Sequence, residues 1–231
     1  MSVDGRQPRI LLIFFSFSGQ TAALIGRLAG GLQEAGTQVV VERLRPVRPL
    51  SFPLGGVLAT VRLMITTAFR QRLPIRKLSE RCRQPFDLII LAGPTWSYNP
   101  SGPVLSLLDR DRDLFRGQTV LPLISCRGYW RLHWLGLRRK LSRRGARTPN
   151  LVVFTHPHPE PWRTIGVFLK IAGKNPEKTS LLGHHYRSFG HSQEQRQEAH
   201  RFGVIIGRAL QENTSLADLD FRTKAAGFPQ R

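Results

Sequence analysis

At 231 residues and 41% hydrophobic content, the chain has the length of one domain with generous insertions and enough apolar surface to fill a core, so it reads as globular. Thirty-five Lys and Arg against 15 Asp and Glu leave a formal net charge of +20, which attracts nucleic acid, anionic lipid or a phosphorylated ligand without choosing among them. Two cysteines, Cys82 and Cys126, exclude a disulfide framework and paired metal spacing, and they suit a reducing, cytoplasmic setting.

Arg9–Phe15 (R-I-L-L-I-F-F) is a continuous apolar run, the pattern of a strand buried on both faces of a parallel sheet. Its Ile10–Phe15 core is too short for a signal peptide. A polar turn, Ser16–Thr21, contains Gly19 and leads into a helix over Thr21–Ala35, with Leu24, Ile25, Leu28 and Leu32 on its apolar face and Gly36 at its end. Thr37–Leu44 is a second strand, so the chain opens with a βαβ unit. Arg45–Pro53 holds three prolines and reads as loop. Leu54–Arg72 reads as a helix weakened by Gly55, Gly56, Thr60, Thr66 and Thr67. Its apolar stretch, Leu54–Phe69, is interrupted by Arg62 and falls short of the roughly 20 residues that span a bilayer.

Asp87–Ala92 is the third strand, Gly93–Pro100 a turn-rich loop, and Pro103–Leu108 the start of a helix. Gln118–Ser125 is the fourth strand, although Pro122 is awkward in a central ladder. Tyr129–Arg144 reads as a helix, and seven basic residues fall from Arg131 to Arg147. Leu151–Thr155 is the fifth strand, a long connection covers His156–His191, and a last helix runs from about Ser192 to Leu210. Five strands alternating with helices predict an α/β fold with an open, doubly wound parallel sheet. A single domain over residues 1–231 is expected, with insertions at about 45–83 and 156–191.

In such sheets ligands bind beyond the carboxyl ends of the strands, where the strand order reverses. Three polar loops fall there. In the first, Ser16-Phe17-Ser18-Gly19-Gln20-Thr21, a helix amino terminus offers unpaired N–H groups, Gly19 lets the backbone curl, and Ser16, Ser18 and Thr21 add hydroxyls without negative charge. A plain N-cap turn uses the same residue types, and the Walker A pattern with its lysine is absent. The order strand, S-x-S-G-x-T, helix resembles the FMN phosphate loop of the flavodoxin family. The second loop, Gly93-Pro94-Thr95-Trp96-Ser97-Tyr98-Asn99-Pro100, resembles that family's second flavin loop, which implies Trp96 and Tyr98 as stacking candidates. The third, Ser125-Cys126-Arg127-Gly128-Tyr129-Trp130, lies where the family makes further ring and ribityl contacts. Arg127 departs from the simpler glycine-rich version: it either stabilises an anionic reduced flavin or faces solvent. Cys126 reads as a packing residue.

The resemblance covers about Arg9–Thr155 and the last helix, and it implies FMN as cofactor. A narrower resemblance, carried by G-P-T-W-S-Y-N-P-S-G-P-V, S-C-R-G-Y-W, F-L-K-I-A-G-K and R-F-G-V-I-I, is to flavodoxin-like accessory proteins of dialkylresorcinol condensation. The expected function is an FMN-dependent oxidoreductase for a small, apolar, aromatic or quinone-like substrate. The alternatives are a flavodoxin-type electron-transfer protein and a flavin-free binding protein for anionic surfaces. Typical flavodoxins are acidic, and this chain is not. Catalytic residues stay open among Tyr98, Tyr129 and the histidines of the 156–191 connection. His156, His158, His184 and His185 lack an acidic or cysteine partner at ligand spacing, so no metal is expected. No base-reading motif accompanies the charge, so no specific nucleic acid is expected, and peripheral contact with an anionic membrane is left open. The apolar residues of the two long connections imply a cover over the cofactor edge, a cover over a sheet edge or outer helix, or a helix lying on a membrane.

Overall fold

The computed structural model describes residues 6–186 and 188–228. In chain order the elements are β1 (Arg9–Phe14), α1 (Gln20–Glu34), β2 (Gln38–Arg43), α2 (Val57–Ala68), β3 (Leu88–Trp96), β4 (Asn99–Pro100), α3 (Gly102–Arg110), β5 (Val120–Cys126), α4 (Arg131–Ser142), β6 (Val152–Thr155), α5 (Trp162–Ile171), α6 (Ser180–Gly183) and α7 (Gln193–Gln211). Five strands pair in parallel in the order β2-β1-β3-β5-β6, and β4 folds back antiparallel on the end of β3. In register, Leu11 lies between Val40 and Ile89, and Ile124 pairs with Gly93 and Val153. The order reverses between β1 and β3, which opens a crevice at their carboxyl ends.

Alternation along the buried strands feeds two cores. Ile10, Leu12, Ile90 and Leu121 meet Leu24 and Leu28 of α1 and Phe202 and Ile206 of α7 on one face. Leu11, Ile13, Ile89 and Leu91 meet Val104 and Leu107 of α3 and Leu137 and Leu141 of α4 on the other. Pro122 sits within β5 at little cost. Val120 N–H donates to the Arg147 carbonyl, so the nitrogen of Pro122, two residues on, faces the same side, where β6 begins pairing only at Leu123. The segment after α7 shields the outer edge of β6: Thr155 N–H donates to the Ala226 carbonyl, and Leu216, Phe221 and Ala226 join the first core.

α1 and α7 approach through glycine. A Cβ on Gly31 would lie 2.0 Å from the His200 carbonyl oxygen, and one on Gly203 would lie 2.2 Å from that of Leu28. Gly31→Ala is therefore expected to push the helices apart and lower stability by about 1–3 kcal/mol, although alanine is the better helix former by roughly 1 kcal/mol. Urea unfolding reads the sign; a rise in stability would show that propensity outweighs the contact.

Three elements differ from the sequence expectation. Gly93–Pro100 is not all loop: β3 runs on to Trp96 and turns through Ser97 (φ 43°) and Tyr98 (φ 67°) into β4. Two consecutive positive φ values define the two-residue hairpin that usually draws Asn-Gly, so the signal was missing. α2 is shorter than Leu54–Arg72, beginning after Gly55 and Gly56 and ending before Arg70, whose φ is 56°. The 156–191 connection contains two helices, α5 and α6, that the pattern did not mark.

Candidate functional site

A cavity of about 570 Å³ opens at the carboxyl ends of β1, β3, β5 and β6. Its floor is the three loops; its roof comes from α2 (Leu63, Met64, Ile65, Thr67, Ala68) and α5 (Thr164, Val167, Phe168, Ile171). Arg127 is the sole formally charged residue on its lining among the described residues.

Of the sequence-predicted residues, Ser18, Gln20, Thr21, Pro94, Thr95, Trp96, Ser97, Tyr98, Ser125, Cys126, Arg127 and Tyr129 line the cavity. Ser16, Gly19 and Gly128 do not. Ser16 is buried and its Oγ accepts the Ala22 N–H at 3.2 Å, so its hydroxyl serves the start of α1 rather than a ligand. Gly19 is the left-handed N-cap (φ 82°), and a Cβ there would meet open space within 4 Å. α1 has no side-chain cap at this position and no acid in its first turn. Its amino terminus thus keeps N–H groups and the positive end of its dipole for an anion. Gly128 (φ 150°) leaves room for the Arg163 guanidinium, 2.9 Å from where a Cβ would stand.

The β3–β4 hairpin is strapped to the roof. Ser97 Oγ donates to the Met64 carbonyl at 3.0 Å and lies 2.7 Å from Thr67 Oγ1; Asn99 Nδ2 donates to the Thr67 carbonyl at 3.2 Å. These bonds pin a backbone that Tyr98 alone would avoid. Trp96 is held edge-on by Phe15 (5.5 Å) and Phe17 (5.6 Å); Phe17 in turn meets Phe52, which stacks on Phe189 at 5.5 Å. Trp96, Phe17, Phe52 and Phe189 form one aromatic wall, of which only Trp96 was legible in sequence. Arg127 does not face solvent alone: it donates to Thr164 Oγ1 at 2.8 Å and lies over the Phe168 ring at 4.7 Å. Cys126 is buried, which pushes its thiol up to about 12 and keeps it protonated.

Two histidines that sequence reasoning could not rank sit on the wall. The Gly190 N–H donates to His156 Nε2 at 3.0 Å, so the neutral ring carries its proton on Nδ1, and that buried atom has no partner among the described residues. His191 Nε2 lies 2.8 Å from Ser125 Oγ, and its Nδ1 lies 3.0 Å from Gln195 Oε1. Gln195 Nε2 donates to the Thr155 carbonyl at 2.6 Å, which fixes Oε1 as the acceptor facing His191. His191 Nδ1–H therefore donates to Gln195, and bare Nε2 accepts the Ser125 hydroxyl proton. Burial holds His156 down at about 3 and His191 at about 4, so both are neutral at pH 7. His156 and Ser125 both line the cavity; the Ser125 oxygen keeps acceptor capacity there, and the His156 Nδ1–H is a buried donor in the wall. His158 bonds the Ser188 carbonyl and His185 stacks on Trp162; neither lines the cavity.

No family model and no curated protein sequence matches this chain. Solved structures do. An FMN-complexed flavoprotein from Lactobacillus acidophilus NCFM is 16% identical with a TM-score of 0.50, covering 62% of this chain and 91% of its own. A flavodoxin from the domain Archaea is 12% identical with a TM-score of 0.47, covering 87% of this chain and 98% of its own. The chain has the flavodoxin-like fold. Its strand order, with the reversal between β1 and β3, is the flavodoxin-like order once β4 is set aside. On that fold, the roof from α2 and α5 is built by the two long connections.

Proposed function

We propose that the chain is an FMN-dependent oxidoreductase acting on a small apolar substrate of the aromatic or quinone-like class. The observation that carries the reading is the roofed cavity, with an anion-binding helix terminus at one end and an apolar cover that a bare electron carrier does not need. The FMN in the Lactobacillus acidophilus flavoprotein, a protein of similar fold, supports the cofactor. Ser18, Gly19, Gln20 and Thr21 with the first N–H groups of α1 would hold the phosphate. Pro94 to Tyr98, Ser125, Cys126, Arg127 and Tyr129 would border the ring and ribityl chain. Bound there, FMN supplies hydride and two-electron chemistry.

The protein's own groups do the rest. The Arg127 guanidinium, fixed by Thr164, stabilises negative charge that develops in the cavity. The roof and the aromatic wall keep water out. His156 holds a proton at Nδ1, a buried donor without a partner among the described residues that a substrate oxygen reaching into the wall would satisfy. The narrower resemblance to accessory proteins of dialkylresorcinol condensation supports an alkyl-bearing aromatic ring as the substrate. Two buried, free cysteines suit a reducing compartment.

Titrating FMN with the purified chain should quench flavin fluorescence to a 1:1 endpoint; no quenching sinks the cofactor. His156→Phe should keep FMN affinity within about threefold yet slow quinone reduction by the photoreduced protein by about a hundredfold. Equal rates would remove His156 from the chemistry.

A further inference from the structure

We propose that the rim of this cavity is a docking surface for an anionic lipid bilayer, with α2 lying in the headgroup–acyl boundary. α2 is turned inside out. Its buried residues are Thr60 and Thr67, whereas Val57, Leu58, Val61, Met64, Ile65 and the following Phe69 are exposed. Leu58 is 84% and Phe69 82% exposed, the reverse of a helix that packs its apolar face on a core. The exposure is concentrated. Every large hydrophobic residue exposed among the described residues, Val41 and Val47 apart, lies on α2 and Phe69, at Tyr98 or Tyr129, on α4 (Leu132, Leu135) or on α5 (Ile165).

These pieces form one surface. Ser97 bonds the Met64 carbonyl, the Tyr98 and Tyr129 rings meet edge-on at 5.6 Å, and Leu54 N–H donates to the Ile171 carbonyl at the end of α5 at 2.8 Å. Met64 and Ile65 are exposed and also line the cavity, so apolar surface runs from the outside into the site. A patch of this kind ringed by polar groups calls for a partner.

Charge selects the partner. No Asp or Glu occurs between Glu42 and Glu80, nor between Asp113 and Glu160, and these two stretches hold 17 Lys and Arg. They contribute α2, Tyr129 and α4 to the rim, and Arg62, Arg70, Arg131 and Arg138 are exposed there. Apolar side chains on a helix flanked by cations in excess over anions are the chemistry of an interfacial helix on anionic lipid. A second copy would set two faces with a strong excess of positive charge against each other, which Coulomb repulsion opposes. No helix of the described residues is long and apolar enough to cross a membrane, so the contact is with its surface.

The test is co-sedimentation of the full chain with vesicles of phosphatidylcholine alone or with about 30% phosphatidylglycerol, at physiological salt. The anionic vesicles should bind at least about tenfold more tightly. Leu58→Asp with Phe69→Asp, two residues outside the cavity lining, should weaken that binding at least about tenfold while leaving the circular dichroism and FMN titration unchanged. Because pelleting needs no flavin, this outcome is independent of the cofactor assignment. Absence of binding to anionic vesicles overturns the proposal. So does binding that the double variant retains in full, which is charge attraction without insertion. Self-association without vesicles that the double variant abolishes overturns it in favour of a second copy.

Discussion

Replacing Ser18 with Asp is expected to weaken FMN binding by at least about a hundredfold, read as loss of flavin fluorescence quenching. Ser18 lines the cavity one residue before the left-handed Gly19 that starts α1. The site holds an anion through N–H groups and the helix dipole, and α1 brings no acid to its first turn. A carboxylate there would face a phosphate bearing close to two charges, and a separation of about 5 Å serves as the order of magnitude. At an effective dielectric constant near 20 each unit charge costs about 3 kcal/mol, and a hundredfold loss needs only about 2.7 kcal/mol. Ser16→Ala is the contrast. Its hydroxyl accepts the Ala22 N–H and lies off the cavity, so the change should cost about 1 kcal/mol of stability and move FMN affinity less than about threefold. Unchanged affinity in a folded Ser18→Asp protein would remove the phosphate from this turn.

Why one serine of the motif turns inward and the other outward was beyond the sequence, since both suit an N-cap or a phosphate. Four of the five parallel strands were readable because burial on both faces leaves continuous apolar runs, as in Ile10–Phe14 and Leu88–Leu91, whereas β2 is an edge strand marked only by Val39–Val41. The β3–β4 hairpin was not, because Ser97 and Tyr98 take positive φ only under the hold of Met64 and Thr67, some 30 residues away. α5 was hidden by the prolines before it and by Gly166, which closes on the Tyr186 ring: a Cβ there would come within 2.4 Å. α2 misled in a different way. Its periodicity is helical, but the rule that the apolar stripe faces inward fails where Thr60 and Thr67 are the buried positions.

The histidines show the limit most clearly. The five in the 156–191 connection could not be ranked from sequence, and what separates His156 and His191 from the others is long-range bonding: Gly190 to His156, Ser125 and Gln195 to His191. Without those partners neither tautomer nor role can be assigned.

Stability is expected to fall steeply as pH drops from about 6.5 to 4.5, before carboxylates contribute much. Burial lowers His133 to about 3, His156 to about 3 and His191 to about 4, so all three stay neutral in the native state. In the unfolded chain each titrates near 6.5. Below that value the unfolded state gains protons that the native state refuses, so each histidine removes about 1.4 kcal/mol per pH unit. Their contribution is complete above about 6.5 and is lost as pH falls through the native values. Three together give roughly 4 kcal/mol per unit, against a total stability of about 5–15 kcal/mol for an ordinary domain. Asp109, Glu160, Glu177 and Glu198, all held below their usual range, act in the same direction but at lower pH. Urea midpoints between pH 7.5 and 4.5 measure the slope. His133 lies on α4 with Nδ1 2.8 Å from Thr95 Oγ1, and it does not line the cavity. His133→Gln keeps a polar partner for Thr95 and removes one titrating ring, so the slope should fall by about a third. A stability that stays flat over this window would mean that these rings are hydrated in the native state, and a slope untouched by the substitution would mean that His133 takes up its proton equally in both states.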